Sequence, residues 1–198
     1  LLEQPLPGLC ADRVDYFFRD AYATYKTPEW VGPLLKDLRV VDHKIVLRNK
    51  ESAEHFALEY LRLDEERWSH PREVALFQIL ADALSLSLQE KIITEKDLFL
   101  TDEVVMDKLR KASHPEIQKK LSMLNPQFTI ALDPHHYDFH LRTKLRYTDP
   151  LFISKAGKSD ALDKALVRIS YVSPEIRKRI ALHTKRNTKG FFIRVLSW

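Results

Sequence analysis

The spacing of apolar residues changes period once along this 198-residue chain, and that change restricts the folds open to it. Up to Asn125-Pro126 the apolar positions recur at three and four residues, the spacing of helices that bury one face. Beyond them the spacing becomes alternating, as in strands that bury one side. Phe128 to Leu132, His140 to Tyr147 and Phe191 to Leu196 read as strands, Ala156-Gly157 as a turn, and Ser173-Pro174-Glu175 as the start of one intervening helix. The expectation is an α+β fold. Residues 1–125 form a mainly helical part with one β-hairpin, and residues 126–198 form a smaller, basic α+β region with a short antiparallel sheet.

Within the helical part, a first helix is expected from about Ala11 to Tyr25, stopping before Thr27-Pro28. Thr27 is a candidate N-cap for a short helix over Glu29 to Lys36. Leu38 to Leu47 reads as a hairpin. Asn49 or Ser52 can open a long helix through Leu61. Pro71 opens another, on which Val74, Leu76, Phe77, Leu80, Leu84 and Leu88 are expected to form a wide buried stripe. Thr94 to Asp97 and Thr101 to Val104 resemble helix starts, and Ser113-His-Pro-Glu116 has capping-box spacing.

The first helix carries an unusual polar face. Wound at 3.6 residues per turn, Asp12, Asp15, Tyr16, Arg19 and Asp20 share one side, and Val14, Phe17, Phe18 and Ala21 share the other. Short carboxylates, a phenol and the guanidinium groups of Arg13 and Arg19 suit a site for a metal and a phosphate. The alternative is a solvated face with Asp15–Arg19 and Tyr16–Asp20 as neighbours at i, i+4.

The segment Asp12-Arg13-Val14-Asp15-Tyr16-Phe17-Phe18-Arg19-Asp20 resembles the helix that closes the active site in HD-domain phosphohydrolases, in the branch that includes the deoxynucleoside triphosphate triphosphohydrolases. The hairpin at Leu38 to Leu47, the helix opening Glu51-Ser52-Ala53-Glu54, and Leu141 to Pro150 are similar to later parts of that family. The resemblance implies an HD-type helical portion and a divalent metal ion whose last ligand is Asp12. It further implies that Arg13 meets substrate phosphate, Tyr16 and Asp20 contact the sugar, and Arg19 braces the carboxylates. The chemistry implied is attack of a metal-activated water on phosphorus. From the second long helix the family presents Arg, Tyr and His. Here Arg67, His70 and Arg72 could serve, but the Tyr is absent from Arg67-Trp68-Ser69-His70.

The family's other metal ligands, a His and a His-Asp pair, lie upstream of the closing helix, and no His-Asp dipeptide occurs in these 198 residues. The chain therefore reads as the downstream part of an HD protein, expected to be inactive by itself, because one carboxylate cannot hold a catalytic divalent ion. The alternative is a non-catalytic nucleotide- or nucleic-acid-binding or assembly module built on the same scaffold. The partners expected are a nucleotide or phosphate-ester substrate, a regulatory nucleotide and further copies of the chain, with nucleic acid less favoured.

Composition bounds the remaining classes. With 44% hydrophobic residues the chain can bury a core, and no apolar run approaches the 18 or so residues that would cross a bilayer. No membrane partner and a cytoplasmic location are expected, with Cys10 a small core residue. Net charge is +4, but residues 140–198 hold 14 Lys or Arg against 4 Asp or Glu, a local +10. That excess suits a phosphate-rich ligand, with Arg142, Lys144 and Arg146 alternating along an expected strand. The alternative is cations decorating the last turns of a helix. His136, Asp138 and His140 would project to one side of an extended strand and could hold zinc, although a loop before an ordinary strand is the favoured reading. His70 and His114 read as polar residues at helix starts, and with only four Gly a phosphate-cradling loop is not expected.

Overall fold

A computed structural model describes residues 2–155 and 164–198. In chain order the elements are α1 (Ala11–Tyr25), α2 (Val31–Asp37), β1 (Leu38–Val41), β2 (Lys44–Leu47), α3 (Lys50–Leu63), a π-helical turn (Asp64–Trp68), α4 (Pro71–Gln89), a 3₁₀ turn (Glu95–Phe99), α5 (Asp102–Lys111), α6 (Pro115–Met123), β3 (Thr129–Leu132), β4 (Phe139–Leu141), β5 (Leu151–Lys155), β6 (Lys164–Arg168), α7 (Ile169–Val172), α8 (Pro174–Lys189) and β7 (Phe191–Ser197). The fold is α+β, with eight α-helices and two small sheets among the described residues.

The chain forms two compact units, Leu1–Trp68 with Lys144–Thr188, and Ser69–Thr143 with Lys189–Trp198. Each draws on both sides of Asn125. The expected division at residue 125 follows the change of period, whereas the compact units follow where late strands find partners. In the first unit β5 joins the hairpin, giving the order β1-β2-β5-β6, with β2 and β5 parallel at Leu47↔Phe152 and the other pairs antiparallel. In the second unit β7 lies between β3 and β4, antiparallel to both.

The core of the first unit is aromatic. Phe17 is fully buried and its ring centroid lies 4.6 Å from Phe56, 5.0 Å from Phe18, 5.5 Å from Tyr60 and 5.7 Å from Trp30. Leu34, Leu47, Leu63, Phe152, Ile169 and Ile176 complete the cluster. Cys10, the N-cap of α1, is buried as expected. The helix ends where Lys26 and Thr27 turn left-handed, at φ 53° and 61°. Thr27 thus terminates α1 and does not cap the next helix, whose N-cap is Trp30. Asn49 caps α3, its side-chain oxygen accepting from Ser52 N at 2.8 Å.

In the second unit α4 opens at Pro71, but its buried line is Ala75, Ile79, Ala83 and Ser87. Phe77 is 65% exposed and the leucines flank the line, because Ala75, Ala83 and Ser87 on the buried edge are small enough to let the helix approach its neighbours closely, with Ile79 filling the space between them. The capping box occurs at Thr94–Asp97. At α6 the N-cap is His114, with no side-chain cap bond from the Ser113–Glu116 spacing. Lys108, bonded to Asp97 at 2.6 Å, holds that carboxyl below the usual range, with the Thr94 backbone N–H adding to it.

The strand expected over His140 to Tyr147 is only Phe139–Leu141. Its register explains this: Leu141 pairs with Phe191, the first residue of β7, so the chain beyond has no partner strand. Arg142, Lys144 and Arg146 therefore do not alternate on a sheet. They lie in irregular backbone, and Arg142 belongs to the second unit while Lys144 and Arg146 belong to the first. Strands β5 and β6 were not expected, and the turn at Ala156-Gly157 lies outside the described residues.

Candidate active-site helix

The polar face of α1 divides into three parts. At its first turn Asp12 is exposed and lines an open pocket of about 370 Å³ together with Glu3, Gln4, Pro5, Cys10 and Arg13. The guanidinium of Arg13 donates to the carbonyls of Gly8 and, at 3.2 Å, of Gln4, so it pins the N-terminal loop against the helix. On the outer edge Arg19 pairs with Asp15 at 3.1 Å; both side chains are more than two-thirds exposed, and such pairs contribute little to stability. On the inner edge Tyr16 and Asp20 turn toward the end of α3. The Tyr16 and Tyr60 hydroxyls are hydrogen-bonded, and Trp68 Nε1 donates to Asp20 Oδ2 at 2.8 Å. Tyr16 packs edge-on to Trp68 at 5.2 Å. Burial above all, with the bond to Tyr16, pushes the Tyr60 phenol up, so Tyr60 stays protonated.

The residues expected to face a site from the second long helix are dispersed. Arg67 is exposed on the π turn of the first unit. In the second unit His70 is the N-cap of α4, its Nδ1 accepting from Arg72 N at 3.3 Å. Arg72 donates to the carbonyls of Phe128, Asn125 and Pro126 at 2.9–3.3 Å and pairs with Glu73 at 3.1 Å, fastening the start of β3 to α4. On the π turn that carries Arg67, the indole N–H of Trp68 donates to Asp20.

Two further groups were missed in the sequence. One is the π turn itself, where Asp64 and Glu65 meet basic side chains of α8. His183 Nε2 lies 3.2 Å from Asp64 Oδ2, its Nδ1 lies 3.4 Å from Glu65 Oε1, and Arg179 reaches Glu65 at 3.3 Å. Arg179, His183 and Arg186 follow at i, i+4, i+7, so the spacing was visible, but its acidic counterpart more than a hundred residues earlier was not. The other is an open groove of about 980 Å³ in the first unit, lined by Arg39, Arg48, Lys50, Phe152 and Val172 among others. Arg39 turns part of its guanidinium back to the carbonyls of Lys36 and Leu38.

Metal binding can be tested against this geometry. Among the described residues no three His, Cys, Asp or Glu side chains come together as a metal site. The His135-His136 segment is tied up locally: Asp133 accepts from both backbone N–H groups, Asp138 accepts from Val195 N at 2.7 Å, and His140 stacks on Phe192 with centroids 4.0 Å apart. The zinc arrangement considered for His136, Asp138 and His140 is therefore not formed. At α1, Asp12 is a free carboxylate in an open pocket, but a single ligand with Glu3 nearby does not fit a resident divalent ion. No described helix is long and apolar enough to cross a membrane.

No family model matches the chain. It is 32% identical over 202 residues to "Uncharacterized protein YdhJ" of Bacillus subtilis, an alignment covering 99% of this chain and 58% of that protein. It is 27% identical over 135 residues to "Metal-dependent phosphohydrolase cns2" of Cordyceps militaris, covering 64% of this chain and 39% of that protein. The chain is thus distantly similar, over part of its length, to a metal-dependent phosphohydrolase, and it spans less than two thirds of the length of either relative.

Proposed function

We propose that this chain is the downstream part of an HD-type metal-dependent phosphohydrolase acting on nucleotides or related phosphate esters. The observation that supports the reading most is the division of labour on α1. Tyr16 and Asp20 are fastened to Tyr60 and Trp68, while Asp12 projects unfastened into an open pocket at the start of the helix. An exposed carboxylate at that position is free to act chemically, and the partial similarity to a metal-dependent phosphohydrolase supports reading it as a metal ligand. The remaining metal ligands would come from residues beyond these 198 or from another chain. The helix N-terminus lies beside Asp12 and adds favourable potential for an anionic group there.

The test uses the full natural protein. Manganese uptake and manganese-dependent release of phosphate from p-nitrophenyl phosphate and from nucleotides should both fall by about 100-fold or more in Asp12→Ala. Unchanged metal uptake and turnover in a well-folded variant would remove Asp12 from the site and the reading with it.

A second reading, a nucleotide-binding module, is favoured by the groove beside β1 and α3. Its cations Arg48 and Lys50 are exposed and stand next to the first turn of a 14-residue helix. Adenosine triphosphate at low salt serves as the probe. Arg48→Ala with Lys50→Ala should weaken its binding about tenfold, the loss expected from one or two charge-assisted contacts. Equal binding by the parent and the double variant would leave the groove without this role.

A further inference from the structure

The π-helical turn Asp64–Trp68 is the joint between α3 and the polar face of α1, and it is held from outside. π-helical turns are rare, occur mostly at functional sites and widen the backbone at the expense of ordinary helical hydrogen bonding. This one also places three carboxylates in succession, which repel one another. Its first residue, Asp64, is fully buried; its last, Trp68, bonds Asp20 and packs against Tyr16 and Tyr60 at 5.2 and 5.1 Å. A buried carboxylate needs polar partners, and α8 brings one of them to Asp64.

His183 is the central one. Its side chain is fully buried, with Nε2 3.2 Å from Asp64 Oδ2 and also 3.2 Å from Asn187 Nδ2, and with Nδ1 facing Glu65 Oε1 at 3.4 Å without a hydrogen bond. Arg179 at 3.3 Å and Arg186 at 4.0 Å approach Glu65, and Arg146 approaches Asp64 at 4.0 Å. Glu66 is held from the other side by Arg62 at 3.0 Å and by the Tyr25 hydroxyl at 2.8 Å. Of His183, Arg146, Arg179 and Arg186, His183 has the side chain wholly shielded from solvent, and it lies within 3.4 Å of both residues at the start of the turn. The arginines, being partly exposed, are screened.

We propose that His183 is a positioning residue for the α1 site. By filling the buried space against Asp64 and Glu65 it sets the path of the π turn, the turn sets the indole of Trp68, and Trp68 sets Asp20 and the wall against Tyr16. The proposal rests on the reading of α1 as part of an active site, and it gives α8, far along the chain, a part in that site.

The test reads Trp68 directly, independently of turnover. In the full protein labelled with ¹⁵N, the indole N–H resonance of Trp68 is identified by its loss in Trp68→Phe. In His183→Ala that resonance should shift and its hydrogen exchange accelerate about tenfold or more, as the bond to a charged acceptor loosens. The indole resonances of Trp30 and Trp198 should stay in place. His183→Gln, which keeps an N–H donor in a similar volume, should lie between the two. If His183→Ala does not fold, Glu65→Gln, which removes the charge facing His183, Arg179 and Arg186, is read in the same way and should move Trp68 alone. An unmoved Trp68 resonance overturns the proposal, as does an equal shift of all three indoles, which would mean general loosening. Where the parent hydrolyses p-nitrophenyl phosphate with manganese, kcat should fall with little change in manganese affinity. A parent without turnover would defeat the functional reading, while the resonance of Trp68 would still decide the coupling.

Discussion

Phe17→Ala should destabilise the first unit by about 3–5 kcal/mol, the usual cost of emptying a buried phenylalanine site. The upper part of that range applies because four aromatic rings, those of Phe18, Trp30, Phe56 and Tyr60, surround the position within 6 Å, and rings of that size cannot close over the void. Thermal unfolding would show a drop of roughly 2–4 °C per kcal/mol. Asp12→Asn, five residues earlier on the same helix, should change stability by less than about 0.5 kcal/mol, since its side chain is exposed. The contrast is the useful result. Comparable losses from both substitutions would mean that Asp12 is a structural residue and would count against its assignment to a site.

Gly190→Ala should disrupt the second unit by about 3 kcal/mol. Gly190 has φ +77°, a conformation that costs an L-residue about 1–2 kcal/mol. A Cβ there would also stand 2.6 Å from the carbonyl oxygen of Leu141 and 3.2 Å from its carbon. Both contacts are backbone, so β4 and β7 would have to separate at Leu141↔Phe191, the pair that ends the ladder. Gly32→Ala is the control. Nothing lies within 4 Å of a Cβ at that position of α2, so alanine should be neutral or stabilising by up to about 1 kcal/mol. Denaturant midpoints measured for both variants check the pair; a tolerated Gly190→Ala would require a different β4–β7 register.

Local chemistry made much of the first unit legible. The run Val14, Phe17, Phe18, Ala21 can bury only one helical face, and α1 begins and ends where that pattern and Thr27-Pro28 put it. The hairpin over Leu38 to Leu47 and the cap at Asn49 were legible for the same reason: each depends on residues within a few positions of one another. Contacts over longer separations were not. Tyr16 lies 44 residues from Tyr60 and Asp20 lies 48 from Trp68, so a stripe that looked like one polar face proved to be a fastened inner edge, an exposed ion pair and an open carboxylate. Arg72 shows the same limit, since its three carbonyl acceptors lie more than fifty residues away.

Neighbouring residues alone specify the period of each segment, and so the α+β class, the position of α1 and the separation of its apolar and polar faces. Periodicity is a property of neighbouring residues, and burial of one face follows from it wherever the partner lies. Strand pairing, by contrast, depends on contacts between distant parts of the chain. Paired strands must run alongside one another, so β4 stops at Leu141 where β7 begins, and β5 joins the hairpin sheet in parallel with β2 although it lies far along the chain from it. The same is true of Asp64 and His183. A buried carboxylate requires a donor, but which of eight histidines supplies it depends on the packing of α8 against the turn.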